Sequence, residues 1–396
     1  MPSATNPRTT TVTTTAPNPP SPAGAPKARG PLRIALLGSR GVPARYGGYE
    51  TFMEELGQRL VQRGHEITVY CRSHYTQRSE REVLGMRTVV LPTIRTKHLD
   101  TPVHTLLSAL HGATRTYDAA LMVNAANALF VPLLRLSGTP TALHVDGLEQ
   151  DRSKWGALGR LVYRMSERLA TWVPTRLVTD AATIERHFLE RHGAASTMIP
   201  YGGDLAPTDS RETLEHLELE PDSYYLYVSR FEPENNPHRV VEAFRKSRSK
   251  RRLVMLGDAP YSVDFIRRLR DNQDPRILFP GAIYGSGYRE LQQHAYAFVQ
   301  ATEVGGTHPA LVEAMSFGNC ILLNDVPENR EVAGDAALYF RANEPTSLTT
   351  LFDETDGAPE RVQEMALSAR QRATENYTWQ AVTDRYEKLF SELAGR

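Results

Sequence analysis

The fold class this sequence predicts is α/β: two doubly wound, parallel-sheet domains of Rossmann type facing each other across a cleft. Three observations predict it. From Leu32 onward, short apolar runs alternate with amphipathic stretches, which is the pattern of parallel strands joined by crossover helices. The alternation breaks at a polar stretch over residues 204–221 and then starts over. The 396 residues also suffice for two domains of ordinary size.

Residues 1–30 stand outside that pattern. They are rich in Thr, Pro and Ala and nearly lack large apolar side chains, so they cannot bury enough surface to offset the entropy of ordering. A disordered tail is expected there, and it has no apolar middle stretch of the kind a secretory signal carries. The first domain, 31–203, then offers strands at 33–38, 67–71, 88–91, 119–123, 141–145 and 176–179. Between the first two lies a helix with Phe52, Leu56 and Leu60 on one stripe and Gly64 at its end. The second domain, 222–375, offers strands at 224–229, 252–256, 276–279, 297–300 and 320–323. In such sheets ligands bind at the carboxyl ends of the strands, so two facing sheets put the chemistry between them.

Composition narrows the function. Lys plus Arg and Asp plus Glu number 46 each, which removes an electrostatic case for nucleic acid as a partner. Cys71 and Cys320, the two cysteines, lie in separate halves. They make neither a metal cluster nor a disulfide framework, and a reducing cytoplasm is the expected compartment. No apolar run approaches the roughly 20 residues of a membrane span.

Two glycine-rich segments follow strands. The first, GSRGVPARYGGYETF at 38–52, lacks both the dinucleotide fingerprint and the Walker A lysine. Gly47 and Gly48, just before a helix, suit the close approach of an anion or sugar to backbone N–H groups; equally, they suit a loop whose glycines only permit tight turning. The second, EVGGTHPALVEAMSFGNCILL at 303–323, feeds a Gly-Gly turn into a helix that Thr307 or His308 can cap and Pro309 can begin. That start attracts a diphosphate. Glu313, one turn inside, can accept hydrogen bonds from the two hydroxyls of a ribose, or be an ordinary glutamate favoured by the helix dipole. Arg230, at the end of a strand, can take a phosphate in bidentate fashion or form a surface ion pair.

Together these segments resemble the retaining glycosyltransferases of family four, which have the GT-B fold, and above all a subgroup of bacterial rhamnosyltransferases of cell-surface polysaccharide synthesis. The resemblance covers nearly all of 32–396. It rests on the first loop at 38–52, on Asp146-Gly147-Leu148-Glu149 followed by Arg152-Ser153-Lys154-Trp155, on Arg230-Phe231-Glu232-Pro233-Glu234-Asn235-Asn236, and on Gly305-Gly306-Thr307-His308-Pro309-Ala310-Leu311-Val312-Glu313. The ending from Asn376 to Trp379, followed by an amphipathic stretch to 396, is similar to the C-terminal helix that crosses back onto the first domain in that fold.

The resemblance implies a nucleotide-sugar donor on the second domain, with Glu313 on the ribose and Arg230 on the diphosphate. Backbone groups near Leu311 and Val312 and the turn Gly305-Gly306-Thr307 would complete that site. Gly47 and Gly48 would approach from the opposite domain, and His144 or Asp146 would face the transferred sugar. Two positions depart from the wider family: Gly305 stands where a carboxylate is usual, with Glu303 out of register, and Asn235 stands where a lysine helps hold the diphosphate. Both departures are shared with the rhamnosyltransferase-like subgroup.

The expected reaction moves a 6-deoxyhexose such as L-rhamnose, or a relative, from a dTDP donor to an acceptor hydroxyl with retention, the leaving phosphate acting as base and no metal or cofactor being required. A UDP-hexose-dependent transferase and a sugar-nucleotide-binding protein without catalysis are the rival readings. The acceptor is expected to be a lipid-linked sugar or a soluble natural product. The stretch 152–176 bears on this choice. Trp155, Leu158, Val162, Met165 and Leu169 fall on a helical stripe beside Arg152, Lys154, Arg160, Arg164, Arg168 and Arg176. Such a helix either lies peripherally on the inner face of an anionic membrane or packs its stripe on the sheet with its arginines solvated.

Overall fold

The computed structural model describes residues 30–396 apart from 46, 97, 148–156, 260–261 and 272–273. The expected disordered tail, and Leu148, Glu149 and the run from Arg152 to Trp155 in the second motif, lie outside the described residues, Gly30 excepted.

The first half runs β1 (Arg33–Leu37), α1 (Gly48–Gln62), β2 (Glu66–Arg72), β3 (Glu82–Val83), β4 (Met86–Leu91), α2 (Asp100–Ala113), β5 (Ala119–Val123), α3 (Val131–Leu136), β6 (Thr141–Val145), α4 (Ala157–Ala170), β7 (Arg176–Thr179), α5 (Ala182–His192) and β8 (Thr197–Met198). Its sheet has the order β3-β4-β2-β1-β5-β6-β7-β8 and is parallel except where β3 meets β4. Strands β5 and β6 are buried at every position. That is why they read as unbroken apolar runs, since helices cover both faces of a parallel sheet.

The second half runs α6 (Glu212–His216), β9 (Tyr224–Val228), α7 (Pro237–Lys246), β10 (Arg252–Leu256), α8 (Val263–Arg270), β11 (Ile277–Gly281), α9 (Gly285–Gln293), β12 (Ala297–Gln300), α10 (Pro309–Phe317), β13 (Cys320–Asn324), α11 (Pro327–Ala333), β14 (Leu338–Phe340), α12 (Pro345–Gly357), α13 (Pro359–Asn376) and α14 (Trp379–Leu393). The order of this wholly parallel sheet is β11-β10-β9-β12-β13-β14. Every run read as a strand is one. The strands β3, β8 and β14 are of two or three residues, too short to leave a periodic signal.

Each sheet has one place where the strand order reverses. In the first it lies between β1 and β5, in the second between β9 and β12. Loops leaving the carboxyl ends there diverge to opposite faces and open a crevice. The polar stretch 204–221 is not bare chain: it carries α6, whose Leu214 is buried and donates its N–H to Glu290 on α9 at 2.8 Å. Helix α14 lies against α1, where Arg63 reaches Asp384 and Glu387. Trp379 and Tyr386 pack on Phe52. A single apolar core thus runs from α1 through α14 to α10.

Candidate functional site

The two crevices meet in one pocket of about 540 Å³, lined from both halves of the chain. Physical chemistry at the strand ends builds it. Helix α1 begins at Gly48, and its extended N-cap residue Gly47 offers no side chain to the first turn. Helix α10 begins at Pro309, again without a side-chain cap. The two starts touch: a Cβ on Gly48 would stand 3.0 Å from the Pro309 ring. Two positive helix ends converging on one space favour an anion there. The loop before α1 is held by acids of α1 itself, since Arg40 N–H donates to Glu50 at 2.8 Å and Ala44 N–H to Glu54 at 2.6 Å. It is therefore a braced wall, which argues against glycines that serve only tight turning.

Arg230 lines the pocket at the end of β9 with about a third of its side chain exposed. Its carbonyl accepts from the Asn235 side-chain amide at 2.8 Å and from Glu232 N–H at 2.8 Å. Asn235 lines the pocket as well, but it brings no charge, and its amide fixes the backbone that carries the guanidinium. The Glu232 carboxylate stands 4.0 Å from the guanidinium, a long and half-solvated pair of little energetic weight.

Glu313 sits in the second turn of α10, 2% exposed, so it is not a first-turn dipole glutamate. Tyr288 of α9 donates to its Oε2, and Gln292 donates to the Tyr288 hydroxyl at 2.9 Å. The other oxygen, Oε1, is buried with no partner. Burial pushes the Glu313 carboxyl up to about 7, with the Tyr288 bond opposing it. A buried carboxylate oxygen facing a pocket without a donor is a cost that a ligand hydroxyl removes.

Three expectations need correction. His144 does not face the cleft. It is fully buried inside β6, with Nδ1 2.6 Å from the Tyr386 hydroxyl and Nε2 3.2 Å from the Tyr201 hydroxyl. Burial lowers its pKa to about 3, so it is a neutral core histidine stacked behind Tyr201. Asp146, past the strand end, is the one that reaches the pocket. Leu311 and Val312 do not line the pocket either; their side chains are buried and both N–H groups already point to the His308 carbonyl, at 3.0 and 3.2 Å. Gly305, Gly306 and Thr307 do line it, but two of their N–H groups are engaged. Gly306 donates to the Asp146 carbonyl at 3.1 Å and Thr307 to the Asp180 carboxylate at 2.9 Å.

Asp180 was not legible as a site residue, because nothing in its local sequence marks it. It is fully buried, its backbone carbonyl accepts from the Thr307 hydroxyl at 2.6 Å, and burial holds its carboxyl well above the usual range, with Asp146 adding to the effect. This bond ties the end of β7 to the turn before α10. A Cβ on Gly306 would come within 2.2 Å of the Asp180 carboxylate. Gly306→Ala is therefore expected to break the tie, to cost about 1–3 kcal/mol by overpacking, and to raise the KM for donor more than it lowers kcat. Thermal denaturation and donor-dependent kinetics check this; an unshifted melting temperature with unchanged KM would show that the turn tolerates the methyl. Gly305 explains itself differently: a Cβ there would meet the His308 ring at 2.3 Å, so the imidazole occupies the space a longer side chain would take. Glu303 is exposed and bound to the Asn236 amide at 2.9 Å. Arg289 and Tyr288 also line the pocket and carry no motif that would have flagged them; Arg45 lines it too and lies within the first glycine-rich segment, where the glycines alone stand out.

Residues 47–202 match the Glycosyl transferase 4-like domain and residues 210–372 match Glycosyl transferases group 1. The O-antigen chain mannosyltransferase B of Escherichia coli is 24% identical over 150 residues, which is 36% of this chain and 39% of that protein's length. Among solved structures, sucrose-phosphate synthase from Thermosynechococcus elongatus has a TM-score of 0.77 at 17% identity, covering 91% of this chain and 99% of its own. The Anabaena protein HepE in complex with UDP-glucose has a TM-score of 0.74 at 15% identity, covering 91% of this chain and 100% of its own. At such identities the structural likeness concerns the fold.

Proposed function

Since this chain belongs to the GT-B glycosyltransferases, both of whose domains it carries in order, we propose that it transfers a sugar from a nucleotide donor to an acceptor hydroxyl in the pocket between its domains. The observation that carries the reading is the unpartnered Oε1 of Glu313, set beside two converging helix starts and Arg230. The ribose would donate to Glu313 and the diphosphate would lie between Arg230 and the starts of α1 and α10. The acceptor would approach from the first domain, past Asp146. Arg230 and the helix dipoles then stabilise charge as it develops on the departing diphosphate. Retention follows if the acceptor enters on the face the diphosphate leaves and gives its proton to a phosphate oxygen. His144, buried and neutral, takes no part.

The donor favoured is a dTDP-linked 6-deoxyhexose such as L-rhamnose. With Gly305 in place of a carboxylate and Asn235 in place of a lysine, the site has one acceptor group and one positive charge fewer than the wider family's. A sugar lacking a hydroxyl leaves less unsatisfied in such a site. The second reading is a UDP-hexose donor, favoured by the likeness to HepE, which was solved with UDP-glucose. A donor screen by thermal shift separates them. Ligand at 100 times its Kd stabilises by about 2.7 kcal/mol, so the matching donor is expected to raise the melting temperature by several degrees. A shift with dTDP-rhamnose and none with UDP-glucose supports the first reading, and the reverse replaces it. No shift with any sugar nucleotide removes the donor site altogether.

A further inference from the structure

A helix at the surface of a globular domain ordinarily buries its large apolar side chains and exposes its polar ones. Over its described side chains α4 does the opposite. Ser166, Glu167 and Ala170 face inward and are buried, while Leu161, Val162 and Met165 are 53%, 50% and 59% exposed. Trp172, just beyond the helix, is 67% exposed. Of the described side chains of the apolar stripe read from the sequence, Val162 and Met165 thus face out, and Leu169 turns partly toward the core. Residues 152–156 of that stretch lie outside the described residues.

On the inner side of α4 polar contacts stand beside the packing of Leu169 and Ala170. Glu167 accepts from His187 and His192 of α5, with Oε1 2.7 Å from each ring nitrogen. The helix is therefore held to the domain in part by a carboxylate shared between two histidines, and Leu161, Val162 and Met165 stay exposed. The turn at 125–130, which packs beside it, carries Leu129, and α3, which packs on that turn, carries Leu136, both strongly exposed.

Next to the apolar residues opens a pocket of about 430 Å³ lined by Arg164, Arg168, Arg191, Thr171 and Trp172 together with Glu167 and His192, whose carboxylate and ring are bound to each other. Among the described residues none of these three arginines is in an ion pair with a carboxylate; Arg168 stacks 5.4 Å from the Trp172 ring. No helix among the described residues is long and apolar enough to cross a membrane.

We propose that this face of the first domain docks on an anionic lipid bilayer. The arginine-lined pocket receives a phospholipid phosphate while Leu161, Val162, Met165 and Trp172 enter the boundary between headgroups and acyl chains. Charge decides between a bilayer and a second copy of the chain. A two-fold contact through this face would press the same arginines of both copies together, whereas a layer of lipid phosphates neutralises them. Trp at the rim of an apolar patch suits the interfacial zone of a membrane. The proposal does not rest on which donor the cleft takes.

The test is co-sedimentation of the full chain with vesicles of phosphatidylcholine alone or mixed with phosphatidylglycerol. Binding to the mixed vesicles at low salt, release at high salt and no binding to the neutral ones are expected. R164A/R168A/R191A should weaken partition on the order of 100-fold, at roughly fivefold for each arginine. V162S/M165S should weaken it at least tenfold with the arginines intact. All five side chains are solvent-facing, and an unchanged melting temperature of each variant confirms folding. Equal binding to both vesicle types, or none at low salt, overturns the proposal. So does a dimer in light scattering that V162S/M165S dissolves, which would make the face a contact between copies.

Discussion

Arg230→Ala is expected to lower kcat by about 100- to 1000-fold, the usual loss when one preorganised donor to developing charge is removed. The effect should fall on kcat more than on KM. In the proposed site the bound diphosphate would already be shared between two helix starts, whereas the charge that appears as the glycosidic bond breaks would be met by the guanidinium. The structure supplies the preorganisation: the Arg230 backbone is fixed at its carbonyl by Asn235 and Glu232, each at 2.8 Å. Arg230→Lys should recover only part of the loss, because an ammonium cannot reproduce the planar fork. Asn235→Ala keeps the guanidinium but frees its backbone, and a smaller loss, roughly tenfold in kcat, is expected from misplacement. Steady-state kinetics with donor and acceptor varied separately give the split. If Glu232→Ala equalled Arg230→Ala and both were mild, the arginine would be part of a surface pair and nothing more.

The sheets were legible because both faces of a parallel sheet are covered: β5 and β6 are apolar throughout and cannot be mistaken for solvent-facing strands. The position of the site was legible for a related reason, since glycines and helix starts at the carboxyl ends of strands mark the crevice. The distinction between His144 and Asp146 was also available in principle. A residue inside a buried strand belongs to the core, and one past its end belongs to the crevice. What local sequence cannot show is which backbone groups the opposite domain has already claimed. Gly306 and Thr307 look free beside their helix, yet Asp146 and Asp180, more than a hundred residues earlier, take their N–H groups. The orientation of α4 was hidden in the same way. Its periodicity defines an apolar stripe but not the side the domain turns inward, and that depends on Glu167 meeting two histidines of another helix.

Glu313→Gln is expected to make the unliganded protein more stable at alkaline pH and at the same time a poorer binder. The Glu313 carboxyl stands at about 7 in the folded chain against an ordinary 4.5. A raised folded pKa means that the folded state holds the proton more tightly. The stabilisation is complete below about pH 4.5 and is lost as pH rises through 7. By pH 8 the ionised, buried carboxylate costs about 3 kcal/mol relative to its protonated form. Glutamine keeps an oxygen for Tyr288 and escapes that cost, so its melting temperature should exceed that of the wild type at pH 8 and approach it near pH 5. Donor binding runs the other way. If Glu313 holds the ribose as proposed, the carboxylate accepting two hydroxyls is the competent form, so donor affinity should rise with pH up to about 7 in the wild type and be flat in the variant. At pH 8 the variant should bind roughly ten- to a hundredfold more weakly, the loss of a charge-assisted hydrogen bond. Calorimetric titration in buffers of different ionisation enthalpy should also show proton release on donor binding near pH 6.5, absent in the variant. Equal donor affinity in both proteins at every pH would place the ribose elsewhere. A melting-temperature difference that ignored pH would mean that Glu313 does not titrate between 5 and 8.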